Sequence, residues 1–331
     1  MKRLILGIAA AAMMATTALA QEAKPAVVYD MGGKADKSFN ESAYQGAERF
    51  KTDTGIDYKE FEIQNDAQRE QAMRRFARDG HNPVVVIGFS QAAALEKVAE
   101  EFPDTKFAIV DMVVDKPNVR STVFKEHEGS YLVGVMAAKA SESGTVGFVG
   151  GMDIPLIRKF ACGYAQGVKS VNPDAKVLVN MTGTTPAAWN DPVKGGEIAK
   201  TQIDQGADVV YAAAGSTGIG VLQMAADQGK LSIGVDANQN YLHPGSVLTS
   251  MLKRVDNAVY KAFDDVRQGS FESGVDVLGL KEDGVGYAVD EHNEKLVTAE
   301  VKEAVEKAAE GIKSGEISVH DFMSDNSCPA L

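Results

Sequence analysis

Cysteine is nearly absent from the 331 residues, which contain only Cys162 and Cys328, together with one tryptophan, five histidines and ten prolines. Two cysteines exclude a disulfide-built scaffold and a four-cysteine zinc or iron–sulfur centre. His81, His127, His243, His292 and His320 stand at no metal-ligand spacing from one another, so no metal is expected. Positive charge is also scarce. With 34 Lys and Arg against 46 Asp and Glu, the formal net charge is −12. That balance excludes a protein that grips nucleic acid or an anionic membrane through a basic surface. Past the first twenty residues no apolar run approaches the about 20 residues a membrane-spanning helix needs. Phosphate-loop and nucleophile-elbow motifs are missing, and the Gly32-Gly33 and Gly215/Gly218/Gly220 groups lack the dinucleotide-binding spacing. No cofactor is expected, and no catalytic residue is assigned.

What is present starts with an export signal. Lys2 and Arg3 precede a short Leu/Ile/Ala/Met run, and Ala18-Leu19-Ala20 forms a small-residue cleavage site before Gln21. Residues 1–20 are therefore expected to be a signal peptide. No cysteine follows the site, so the reading is a soluble, non-lipidated protein that diffuses freely in a bacterial periplasm. Losing Lys2 and Arg3 leaves 32 basic residues against 46 acidic ones, a balance of −14. Export also favours a bridge between Cys162 and Cys328 over two free thiols, although sequence alone supplies no distance between them.

The remaining chain repeats short β-branched runs followed by helical patterns. Strands are expected at 26–30, 56–61, 83–88 and 107–111, with helices at 38–53, 65–79 and 90–101. The pattern restarts with a helix at 129–141 and strands at 145–149, 175–179, 208–212, 231–235 and 246–250. Helices fall between them at 155–171, 192–205 and 217–228, and two more follow at 254–268 and 298–313. Continuous apolar strands alternating with helices form parallel sheets covered on both faces. Two such sets predict an α/β protein of two doubly wound, three-layer lobes around a central cleft.

Ligands of open α/β sheets bind outside the carboxyl ends of the strands. Asp30, Ser90, Asp111, Asp236 and Lys253 all fall at or just beyond such ends. Ser38 and Glu41 have capping-box spacing, so Ser38 is the expected N-cap, with Phe39 and Asn40 in the first helical turn. Phe39 is either a hydrophobic staple or a face for an aromatic ligand. Trp189 sits in a Pro/Asn/Asp loop, an unusual place for a core tryptophan. Carboxylates accept bonds from vicinal hydroxyls and aromatic rings stack on planar bases, so the set suits a nucleoside or another sugar bearing a flat group. A secreted nucleoside hydrolase, or a sugar or chemosensory receptor of similar architecture, would use the same residue types.

Asp30, Gly33, Asp36, Ser38, Phe39 and Asn40, followed by Tyr44 and Gly46, resemble the opening motif of the basic membrane protein family of ABC-transporter substrate-binding proteins. The resemblance continues through Gly88-Phe89-Ser90, Asp111, Trp189-Asn190-Asp191-Pro192, Ala213–Gly218, Gly234-Val235-Asp236 and Thr249–Lys253. It implies a type I periplasmic-binding-protein fold whose chain crosses between lobes three times, with residues 21–126 plus 254–281 in the N-terminal lobe and 127–253 plus 282–331 in the C-terminal lobe. It also implies that Phe39 and Trp189 sandwich a purine while Asp236 and Lys253 hold ribose hydroxyls. Asp30, Asn40, Ser90 and Asp111 would share the other polar atoms, and Gly215 completes the ligand-binding set. Family members often carry phenylalanine where Trp189 stands, and many are lipoproteins. The implied partners are a nucleoside and an inner-membrane ABC permease, with the protein itself a monomer.

Overall fold

The computed structural model describes residues 23–331. The expected signal peptide and its cleavage site lie outside these described residues. The first sheet contains β1 (Ala26–Tyr29), β2 (Lys59–Glu62), β3 (Val84–Ile87), β4 (Phe107–Val110), β5 (Val119–Phe124) and, from much later in the chain, β11 (Gly274–Leu278). Their order is β11-β5-β4-β3-β1-β2, and every pairing is parallel. The second contains β6 (Thr145–Met152), β7 (Lys176–Gly183), β8 (Val209–Ala213), β9 (Leu231–Asp236), β10 (Val247–Lys253) and β12 (Val285–Tyr287). It runs β12-β10-β9-β8-β6-β7, with only the β10–β12 pair antiparallel.

Strands β1, β3 and β4 read Ala-Val-Val-Tyr, Val-Val-Val-Ile and Phe-Ala-Ile-Val, and every one of these side chains is buried. Burial on both faces is why these runs are continuous rather than alternating. Each valine, isoleucine or phenylalanine among them contributes about 1.5–3 kcal/mol by leaving water. Strands β5, β11 and β12 were not expected. In β5 the sequence Val-Arg-Ser-Thr-Val-Phe breaks the apolar run, yet Arg120 is buried because its guanidinium meets Asp265 at 2.6 Å and stacks over Phe271.

The chain passes from one sheet to the other after β5, after β10 and after β11. These three passages are fastened together: Lys125 N–H donates to Leu278 O at 2.9 Å, and Arg254 N–H donates to Gly284 O at 2.9 Å. Two of the passages lead directly into helices, α4 (Glu126–Ala140) and α8 (Val255–Gln268). Helix α4 packs against α5 (Pro155–Val171) with almost no space between the backbones. A Cβ on Gly134 would stand 2.3 Å from Tyr164 O, and one on Gly167 would stand 2.0 Å from Tyr131 O. This close packing sets the start of α4 against the second and third turns of α5. Cys162 of α5 is bonded to Cys328, and Gln166 holds the backbone of His320 on both sides, so the C-terminal segment is strapped to α5. Among the described residues, no helix is long and apolar enough to cross a membrane.

Candidate functional site

A cavity of about 650 Å³, solvent at its mouth included, lies between the carboxyl ends of the two sheets. Eight of the nine expected ligand-binding residues line it: Asp30, Phe39, Asn40, Asp111, Trp189, Gly215, Asp236 and Lys253. Met31, Phe89, Leu156, Ile157 and Phe160 supply much of its apolar wall. Ser90 does not line it. Its hydroxyl stands behind Asp30, donating to Oδ2 at 2.6 Å and accepting from Arg69 at 2.7 Å.

The end of β1 is held from three directions. Asp30 Oδ1 accepts from Met31 N–H and from Arg69 Nη1, each at 2.8 Å, and Arg69 is only 5% exposed. Asn40 grips the Asp30 backbone on both sides, accepting from its N–H at 3.1 Å and donating to its carbonyl at 3.2 Å. Gly88 has φ of 105°, and a Cβ there would fall 2.4 Å from Asp30 Oδ2. The close approach of the carboxylate and the backbone angle both require glycine. The Asp30, Asn40 and Ser90 side chains therefore have protein partners of their own.

Helix α1 (Phe39–Thr54) begins differently from the expected capping box. Ser38 occupies the N-cap position, but its side chain makes no capping bond. The capping carboxylate is Asp36, which accepts from the N–H groups of Ser38 at 2.9 Å and of Asn40 and Glu41 at 3.0 Å. An acid reaching two residues past the cap satisfies more of the orphan donors than a hydroxyl can. Asp36→Ala is expected to cost about 1–2 kcal/mol in urea unfolding through loss of this cap. Relieved of capping, Ser38 donates across the cleft to Asp236 Oδ2 at 2.5 Å.

Asp111 and Asp236 follow the same design on opposite sides of the cleft. Asp236 ends β9 and Asp111 immediately follows β4, and both have left-handed backbones, with φ of 65° and 72°. Aspartate is among the few side chains that tolerate this region, and such strain is concentrated at functional sites. Burial pushes both carboxyls up to about 6, against the pull of Lys253.

Lys253 is the last residue of β10 and only 1% exposed. Its Nζ meets Asp111 Oδ1 and Oδ2 at 2.6 and 2.7 Å and Glu126 Oε1 at 2.9 Å. The rings of Phe39 and Phe124 lie 5.2 Å away and that of Phe160 5.5 Å away. Burial opposes the ammonium charge, but Asp111, Glu126 and Asp236 outweigh it and hold its pKa well above the usual lysine range. Glu126 in turn meets Lys159 Nζ at 2.9 Å. Burial would raise the Glu126 carboxyl, yet Lys253 and Lys159 together hold it below its ordinary value.

Trp189 closes a 3-10 turn, Pro186–Trp189. Its indole lies against Gly151, where a Cβ would come within 2.1 Å of Cζ3. The loop is fixed by the segment after β8: Ser216 Oγ donates to Trp189 O at 2.8 Å, and Thr217 Oγ1 donates to Ala188 O at 2.9 Å. Gly215, with φ of 58°, lets that segment pass beneath the tryptophan.

Sequence reading missed Asp36 as the cap, Arg69 beneath Asp30, Phe160 in the wall, and the Glu126–Lys159 pair. For Glu126 the signal was obscured because β5 was not recognised and α4 was expected to start at residue 129. Lys159 carries no local signal, since its partners belong to other elements.

The sequence model of the family described as ABC transporter substrate-binding protein PnrA-like matches residues 23–322. A nucleoside-binding protein of an ABC transporter, BmpA of Lactococcus lactis, is 35% identical, the alignment covering 89% of this chain and 88% of that protein. An uncharacterized lipoprotein of Pyrococcus furiosus is 34% identical over 95% of this chain and 89% of its own length. The crystal structure of an ABC transporter solute-binding protein from Aeropyrum pernix is 33% identical, with a TM-score of 0.80 and coverage of 89% of this chain and 92% of that one. The two lobes thus have the periplasmic-binding-protein fold. The naming of relatives as lipoproteins corrects one expectation. A soluble, non-lipidated, freely diffusing protein is not what the family comparisons indicate; they point to membrane-anchored lipoproteins. The overturned reading rested on the absence of one residue type around positions 18–21, outside the described residues. The chain belongs to the PnrA-like family of ABC transporter substrate-binding proteins.

Proposed function

We propose that this substrate-binding protein captures nucleosides, purine nucleosides foremost, and presents them to its permease by closing two lobes around them. The observation that carries the reading is the division of the cleft. Asp111, Asp236 and Lys253 put two acceptors and a cation at one end, suited to ribose hydroxyls. The rest of the wall is largely apolar and includes Phe39 from the first lobe and Trp189 from the second, suited to a flat base. The name of the Lactococcus relative supports the same class of ligand. The lobes divide as 21–126 plus 254–281 and 127–253 plus 282–331.

Closure follows from where the contacts originate. Asp30, Phe39 and Asp111 belong to one lobe, and Trp189, Asp236 and Lys253 to the other. A ligand touching both sets interacts fully only with the closed arrangement and shifts the population toward it. Ser38–Asp236, Lys253–Asp111 and the bond from Gln239 Nε2 to Lys37 O at 2.8 Å join the lobes across the cleft. The permease would recognise the closed form.

Calorimetry with inosine, guanosine, adenosine, cytidine, uridine, ribose and galactose tests the reading. Strong binding of a nucleoside with weak binding of free sugars is expected. Heat from a free pentose or hexose and none from any nucleoside would replace it with a sugar receptor. Phe39→Ala and Trp189→Ala should each weaken nucleoside binding by about 1–3 kcal/mol, the worth of stacking one base on an aromatic ring. Unchanged affinity with lowered thermal stability would assign both rings to packing alone.

A further inference from the structure

Among the described residues Lys253 is the one cation on the cavity wall, and it meets a carboxylate, Glu126, that does not line the cavity. Glu126 is 1% exposed and bridges two ammonium groups, Lys253 through Oε1 and Lys159 through Oε2, each at 2.9 Å. Lys159 is fixed in turn: its Nζ donates to Phe124 O at 2.7 Å and lies 3.5 Å from Asp321 on the strapped C-terminal segment. We propose that Glu126, held by Lys159, is a positioning residue for ligand binding, keeping the Lys253 ammonium fixed between two carboxylates at the cavity wall.

Lys253 engages both Asp111 oxygens, at 2.6 and 2.7 Å, while Glu126 Oε1 holds the same ammonium at 2.9 Å. Glu126, which does not line the cavity, is the second carboxylate on this ammonium. That second carboxylate would leave an uncompensated buried negative charge, which is costly. Lys159 supplies the missing positive charge. The four groups Asp111, Lys253, Glu126 and Lys159 therefore alternate in sign and sum to zero. Glu126 and Lys159 are the first and fifth residues of α4 and α5, brought together by the glycine contacts between those helices.

The affinity part of the proposal rests on the nucleoside reading; the positioning part has its own readout. Glu126→Gln alone strands Lys159, so the informative protein is E126Q/K159M, which removes one charge of each sign. Its fold is checked by thermal unfolding. Nitrogen-15 labelling of lysine allows the buried Lys253 ammonium to be followed by NMR without ligand, with K253M providing the assignment. The double variant is expected to fold, to show the Lys253 signal moved or exchanging faster with water, and to bind inosine about 10–100-fold more weakly. Inosine affinity within twofold of the parent, or an unmoved Lys253 signal whatever the affinity, overturns the proposal. If the parent protein binds no nucleoside, the nucleoside reading fails, and the Lys253 signal alone then decides: moved upholds the positioning role and unmoved overturns it.

Discussion

Lys253→Met is expected to abolish nucleoside binding, by about 1000-fold or more, and to remove about 3–5 kcal/mol of folding stability at neutral pH. The side chain sits within hydrogen-bond reach of two buried carboxylates, Asp111 and Glu126, with Asp236 adding to the field on it. Methionine fills the same volume among Phe39, Phe124 and Phe160 but cancels no charge. The deficit should depend on pH in one direction. Asp111 already has its carboxyl raised to about 6, and losing the lysine raises it further. A carboxyl raised in the folded state contributes its stability fully below its unfolded value near 4 and loses it as pH climbs through the folded value. Urea unfolding should therefore show a large difference between parent and variant at pH 7.5 and a much smaller one at pH 4. A deficit that is the same at both pH values would mean that lost packing, not stranded charge, is responsible.

Asp236→Asn should move stability the opposite way. Burial raises this carboxyl from 3.8 to about 6, with Lys253 and the Ser38 hydroxyl only partly offsetting it. Two units correspond to roughly 3 kcal/mol of cost for ionising the buried group. Asparagine keeps the acceptor for Ser38 and tolerates the left-handed backbone, but carries no charge. The variant should be about 2 kcal/mol more stable at pH 7.5, and the difference should vanish as pH falls to about 3, where Asp236 is protonated in both folded and unfolded protein. Nucleoside affinity should fall as stability rises, the usual exchange where a site holds an unfavourable group for function. Paired urea unfolding and calorimetry on one preparation measure both. A variant destabilised at pH 7.5 would show that Lys253 compensates Asp236 fully.

What could be seen in the sequence was whatever has a local signature. The β1, β3 and β4 runs announced a sheet covered on both faces because no polar residue interrupts them. Asp30, Asp111 and Asp236 stood out because strand ends in such sheets face the ligand. Trp189 stood out because its loop is a poor place for a core tryptophan. The features that escaped detection depend on partners remote in sequence. Arg120 concealed β5 because its counter-ion, Asp265, is 145 positions away. Ser38 looked like a cap by spacing, but Asp36 reaches the same donors and Ser38 turns to Asp236, 198 positions on. Glu126 and Lys159 are ordinary surface residues by type, and only the close contact of α4 and α5 makes them a buried pair.

The three passages between the sheets carry a mechanical consequence. Two bodies joined by one thread can twist and swing in every direction. Here the first passage is fastened to the third at Lys125–Leu278, and the second to the third at Arg254–Gly284. Three fastened threads restrict how the lobes can turn relative to each other, so under the proposed closure they would approach along few paths. Little orientational entropy would then be surrendered in that proposed closure, and more of the contact energy would remain as affinity.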